Sequence, residues 1–297
     1  MNNDCLAELF GVSKRFGKTV ALDGLDLRVR RGELFAVVGP NGAGKSTAIS
    51  LMLGLQQPDS GSVFLFGQSP LLVETRWQVG VMMQEVHLAP ELRVWEQIDL
   101  AASYYPDPLT PDAAMEMTHT RPLANRPYGK LSGGQKRQAQ FALAICGRPK
   151  LLFLDEPTVG LDVQAREVMW ATLRRLVSGG SSIILTTHYL EEAEALADRV
   201  AVLAKGRVMA SGTVNEMRAL VGRKRISCIT TLAVEEVEIW PDVESVSRDQ
   251  QRLHMVVNHA EIVVRRLLAA DKNLQELEVR RAGLAEAFTE LTQEATQ

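Results

Sequence analysis

GPNGAGKST, Gly39 to Thr47, is the stretch on which the fold turns. It fits G-x-x-x-x-G-K-[ST], with Gly39, Gly44, Lys45 and Ser46 in the fixed places. Before it, Glu33 to Val38 (ELFAVV) is a short apolar run suited to a buried parallel strand; after it, Ser46 to Leu53 (STAISLML) reads as a helix. Strand, glycine-rich turn and helix together make a phosphate cradle. Glycines let backbone N–H groups turn inward around β- and γ-phosphates with no Cβ in the way. The new helix adds its positive end, Lys45 a mobile cation, and Ser46 a hydroxyl able to ligate magnesium. A turn that binds nothing would need Gly, Lys and Ser to coincide by accident at a helix start. The stretch therefore predicts a nucleoside-triphosphate site in an α/β fold with a P-loop NTPase core.

The 297 residues suffice for one main domain, expected over 1–221, and a smaller one over 222–297. With 46% hydrophobic and 23% charged residues the composition is that of an ordinary globular protein. A formal net charge of −3 argues against broad nucleic-acid binding, which needs a basic surface. Cys5, Cys146 and Cys228 are odd in number and lack metal-type spacing, which reads as reduced thiols. No apolar run reaches the roughly 18 residues of a membrane-spanning helix. The opening MNNDCLAELFG has no basic start followed by an apolar core, so no export signal is expected. Work at a membrane would require another chain to span it.

Residues 6–32 alternate and turn like a small antiparallel sheet ahead of the phosphate-binding strand. Within them Phe16, in KRFGK, is either an exposed ring able to stack on a purine or one packed under the turn; the residues alone favour packing. After Pro58-Asp59-Ser60-Gly61, a turn, Ser62 to Phe66 and Gln78 to Gln84 read as strands. Residues from 85 to about 147 form a helical insertion. Arg93 to Tyr105 has helical periodicity, and Thr110-Pro111 opens a further helix with a cap and a proline. Leu131 to Gln135 (LSGGQ) leads into a helix over Lys136 to Cys146, another backbone arrangement that favours an anion. Lys150 to Glu156 (KLLFLDE) is an apolar strand ending in two acids. Alternation points Asp155 and Glu156 to opposite faces, which suits one to Mg²⁺ and the other to the attacking water. Gly160-Leu161-Asp162 is a turn and Val163 to Ser178 an amphipathic helix ended by Gly179-Gly180. Ser182 to Thr187 is a buried strand delivering His188 at the edge where open α/β sheets collect ligands. An acidic helix over Tyr189 to Ala197 and a hairpin around Lys205-Gly206 follow.

LSGGQ between a phosphate loop and LLFLDEP resembles the nucleotide-binding subunit of the ATP-binding cassette (ABC) family, over about residues 5–220. The resemblance implies that Phe16 stacks on adenine, in a place more often held by Tyr. It makes Gly39, Asn41, Gly42, Ala43, Gly44, Lys45, Ser46 and Thr47 the phosphate and magnesium loop. Gln84 matches a glutamine that senses magnesium and the attacking water, beside the groove where membrane subunits dock. Ser132, Gly133, Gly134 and Gln135 match the signature that contacts ATP held by the opposite subunit. Asp155 corresponds to the magnesium carboxylate, Glu156 to the catalytic base, Asp162 to a loop crossing between subunits, and His188 to a γ-phosphate contact. It thus implies ATP and Mg²⁺, a head-to-tail dimer with a second copy, and integral membrane permease subunits. The implied location is cytoplasmic, peripheral on the cytoplasmic face of the cell membrane. No nucleic acid is expected.

Beyond residue 222, Ile226 to Ile239, Val243 to Val246, Leu253 to Val257 and Leu277 to Val279 look like strands. Ala260 to Ala270 and Leu284 to Leu291 look like helices, giving a small C-terminal α+β unit. The closing LAEAFTELT resembles the end of exporter-type ATPases that pair with separate membrane proteins. An exporter ATPase is therefore expected, against a soluble ABC protein acting on ribosomes or DNA, or a binding module without turnover. A single phosphate loop and the short spacing from Gln84 to the signature favour the transporter; Glu156 and His188 favour turnover.

Overall fold

The computed structural model describes residues 4–220, 224–281 and 288. They form two compact units that divide between Thr213 and Val214, against the expected boundary after residue 221.

The first unit is organised by strands buried along their whole length: β3 (Leu34–Val38), β6 (Leu151–Asp155) and β7 (Ser182–Thr187). With β5 (Val79–Met82), β8 (Arg199–Ala204) and β9 (Arg207–Thr213) they make a six-stranded sheet in the order β5-β6-β7-β3-β8-β9. All neighbours are parallel except the β8–β9 hairpin, which turns on Lys205 and Gly206, both at positive φ. Parallel strands need cover on both faces, and alternation supplies two apolar sets. Leu151, Phe153, Ile184, Phe35 and Val37 pack toward α1 (Lys45–Met52) and the three-stranded antiparallel sheet β2-β1-β4. In that sheet β1 is Cys5–Phe16, β2 Thr19–Arg30 and β4 Ser60–Leu65. Leu152, Leu154, Ile183 and Leu185 pack instead against α5 (Gly133–Ile145), α6 (Val163–Ser178) and α7 (Leu190–Leu196).

A short α2 (Val73–Arg76) precedes β5. The helical insertion then holds α3 (Val94–Ala102) and α4 (Pro111–Met117), closed on the start of α5 around Val94, Ile98, Met115, Tyr128 and Ala139. Thr110 caps α4, accepting the Ala113 N–H at 3.2 Å, with Pro111 at the first helical position as expected. α3 stops at Ala102, short of the expected Tyr105, whose hydroxyl donates to the Val79 carbonyl at 3.2 Å.

The second unit begins with α8 (Val214–Leu220) and continues β10 (Lys224–Ile229), α9 (Val234–Glu238), β11 (Val243–Asp249), β12 (Arg252–Val257), α10 (Ala260–Ala270) and β13 (Gln275–Arg281). Its sheet, β11-β12-β10-β13, is antiparallel throughout, which is the split β-α-β arrangement. The strand expected over Ile226 to Ile239 breaks after Ile229 and resumes as α9. The cause is Asp271. Its carboxylate accepts the Thr230 hydroxyl at 2.6 Å and the Thr231 and Asn273 N–H groups at 3.0 and 2.8 Å, which turns the chain and holds its pKa down at about 2. Ile226, Cys228, Leu253, Met255, Val263 and Leu267 form the unit's own core. The expected helix over Leu284 to Leu291 lies outside the described residues except for Phe288. Cys5, Cys146 and Cys228 are unbridged. No described helix is long and apolar enough to cross a membrane.

Candidate active site

The phosphate loop leaves β3 at its carboxyl end and enters α1. Two of its glycines have no substitute. A Cβ on Gly39 would lie 2.4 Å from the Leu203 carbonyl oxygen; one on Gly44, at φ 105°, would lie 2.5 Å from that of Ala21. Asn41 and Gly42 are exposed on the loop, Ala43 packs inward, and Ser46 and Thr47 open the first turn of α1. The Lys45 ammonium donates to the Gly39 and Pro40 carbonyls at 2.7 and 3.2 Å. It also stands 3.9 Å from Glu156 Oε1. Burial pushes the Lys45 pKa down, and the carboxylates of Glu156 and Asp155 oppose that.

Residues 151, 153 and 155 of β6 share a face, so Asp155 emerges on the α1 side of the sheet. It is buried and accepts the Thr186 hydroxyl on Oδ1. The expectation that Glu156 points to the opposite face does not hold. The strand ends at Asp155, and Glu156 takes a left-handed backbone at φ 51°, a conformation that costs a non-glycine residue on the order of 1 kcal/mol. Its N–H still donates to the Thr186 carbonyl at 3.0 Å, and the turn returns its side chain toward Lys45. Oε2 of Glu156 is 2.7 Å from Nδ1 of His188, which follows β7. An ionised carboxylate there would accept from the Nδ1–H tautomer of the imidazole. Lys45, the adjacent pair Asp155 and Glu156, and His188 come from three distant segments of the sequence and thus meet at the carboxyl ends of neighbouring strands.

The other predicted residues lie around this cluster. Ser132 is the N-cap of α5: its hydroxyl accepts the Gln135 N–H at 3.3 Å, while Gln135 Oε1 accepts the Ser132 N–H at 3.2 Å. Gly133 and Gly134 form the first turn, and a Cβ on Gly134 would come within 3.0 Å of the Gly160 carbonyl oxygen. Asp162 caps α6 through the Ala165 N–H at 2.8 Å. Gln84 is exposed just after β5, on a cavity of about 600 Å³ shared with Gly133, Arg137 and Gly160. Phe16 is exposed, not packed under its turn. Lys14, tethered by the Gln57 carbonyl and Asp59, stands 5.8 Å from the ring centroid. Sequence reasoning passed over Thr186 and Arg137. Their only sequence signs were a polar pair closing an apolar strand and an arginine at helical spacing with Phe141 and Ala144.

A family model for ABC transporters matches residues 22–159. The chain is 35% identical to the daunorubicin resistance ATP-binding protein DrrA3 of Streptomyces coeruleorubidus, over 95% of this chain and 94% of that protein. It is 38% identical to a Nod factor export ATP-binding protein I of Ralstonia nicotianae, over 70% of this chain and 67% of that one. A dimeric ATP-binding cassette, solved in a post-hydrolysis state with ADP and Pi, superimposes with a TM-score of 0.65 at 25% identity, covering 70% of this chain and 98% of its own. With a relative this similar along almost its entire length, the chain belongs to the ABC transporter family as an ATP-binding, ATP-hydrolysing subunit.

Proposed function

We propose that this subunit powers export through a separate membrane permease, with two copies closing head to tail on ATP at the cytoplasmic face of the membrane. The observation that carries turnover is the Glu156 carboxyl, buried yet held between Lys45 and His188 at the mouth of the phosphate loop. There it acts as general base on a water aligned with the γ-phosphate. Lys45 and the loop N–H groups take the charge that develops on the phosphate oxygens, and His188 meets the γ-phosphate. Ser46, Gln84 and Asp155 supply oxygen donors only, the chemistry Mg²⁺ prefers, and the ion would neutralise phosphate charge when bound. Ser132 to Gln135 would complete the site of the opposite copy, and Phe16 would stack on the base.

Support for a permease comes from a surface groove that shares Leu88 with the cavity at Gln84. Val73, Trp77, Leu100 and Tyr104 line an apolar groove of about 430 Å³ between α2 and α3, where an apolar helix of a partner would fit. The names of the relatives, one for resistance and one for export, favour the outward direction. The test is Glu156→Gln, which keeps the shape and removes the base. Turnover should fall at least about 10²-fold, with ATP and magnesium trapping a dimer by light scattering. Normal hydrolysis by that variant would remove Glu156 from the role. The same trapped form, drawn from gently solubilised native membranes, should carry a multi-spanning protein in stoichiometric amount. Recovery of ribosomal or DNA-bound proteins alone would overturn the transport reading.

A further inference from the structure

Arg137 lies on the inward face of α5 and is 8% exposed. A buried guanidinium is costly unless its donors are used, and these go to three main-chain carbonyls and one side-chain amide. Nη1 donates to the Met83 carbonyl at 2.8 Å and to Gln140 Oε1 at 3.2 Å. Nη2 donates to the Glu156 carbonyl at 2.6 Å and reaches that of Asp155 at 3.4 Å. Gln140 is itself fixed, its amide donating to the Tyr128 hydroxyl at 2.7 Å. One planar group therefore joins the residue before Gln84, the left-handed turn at Glu156, and the helix whose cap is Ser132.

We propose that Arg137 is a positioning residue for hydrolysis: its fork fixes the carbonyls of Met83 and Glu156, and so sets where the Gln84 side chain and the Glu156 carboxyl point. The left-handed turn has two peptide planes to orient, and Arg137 holds the carbonyl of one while Thr186 receives the N–H of the other. Because the anchor stands on α5, a shift at Ser132 reaches Glu156 through a single side chain. Lysine cannot replace it. A point charge lacks the rigid fork that spans both carbonyls.

The inference rests on Glu156 as the base, and the experiment separates the two. Arg137→Lys and Arg137→Gln are prepared in the full chain beside Glu156→Gln, and each is measured for kcat, KM, affinity for fluorescent ATP and thermal midpoint. Both Arg137 variants should lose roughly 10²-fold in kcat, as a misdirected reacting group does, with KM and nucleotide affinity within about twofold of the parent. If Arg137→Gln does not fold, Arg137→Lys decides alone. Unchanged kcat in Arg137→Lys overturns the proposal. So does a loss of affinity and thermal midpoint in step with kcat, or failure of both variants to fold, since a purely structural role explains those results. Normal hydrolysis by Glu156→Gln would remove the base assignment whatever the Arg137 variants do.

Discussion

Glu192 brings a carboxyl, 1% exposed, from α7 to the buried side of α6. The Trp170 indole N–H donates to its Oε1 at 3.1 Å, while Oε2 is buried without a hydrogen-bond partner. Burial is the largest influence on its pKa and pushes it up. The nearby Thr187, Trp170 and Thr158 side chains pull it down, and the charge of Glu156 pushes it up again. A raised folded pKa means the native chain binds more protons than the unfolded chain in the window starting near pH 4.5. Stability from this residue therefore falls as pH climbs through that window and stays reduced above it. Glu192→Gln removes the charge and adds donors toward Thr158 and Thr187. Its thermal midpoint should exceed the parent's at pH 7.5, by about 2–4 °C for each kcal/mol relieved, with the gap closing toward pH 4.5. Equal midpoints at every pH would mean that ionising Glu192 carries no penalty.

At the scale of the element, α5 joins three jobs: its cap is Ser132, its first turn packs on Gly160, and its inward face carries Arg137. Ser132→Arg costs the helix its side-chain cap, about 1 kcal/mol, and puts a bulky cation where the proposed sandwich needs a close approach. The phosphate loop of the same chain is untouched, because Ser132 and Gln135 bond to each other and not to it. Monomer affinity for ATP should hold within about twofold while turnover disappears. Equal loss of both would mean that Ser132 serves its own chain's nucleotide. The elements themselves were readable where an apolar run met clear punctuation: α6 ends at Gly179-Gly180, β7 runs its six residues to His188, and α10 has its expected bounds. The cluster of Lys45, Asp155, Glu156 and His188 was readable because each residue lies at, or one position beyond, the end of a buried strand or opens a helix. What escaped depends on partners distant in sequence. The positive φ of Glu156 answers to Thr186, the break after Ile229 to Asp271, and the buried fork of Arg137 to Met83. No local periodicity encodes those meetings.

Across the whole molecule, the phosphate loop, Glu156, His188 and the signature all belong to the unit that ends at Thr213. The unit from Val214 onward has a separate sheet and a separate core around Ile226, Met255 and Leu267. A ligand that binds one folded unit stabilises that unit and no other, by an amount set by its concentration over its Kd. ADP at a hundred times its Kd adds about 2.7 kcal/mol, which for a domain of this size is roughly 5–10 °C. Calorimetry of the full chain should therefore resolve two transitions, with ADP raising the one that belongs to the nucleotide unit and leaving the other in place. The comparison bears on what residues 222–297 do. If they form an independent unit, their contribution to coupling has to come through a surface and not through the stability of the ATP site. A single transition, or two that rise together with ADP, would instead mean that nucleotide binding is felt throughout the chain, and the second unit would then belong to the energetics of the site itself.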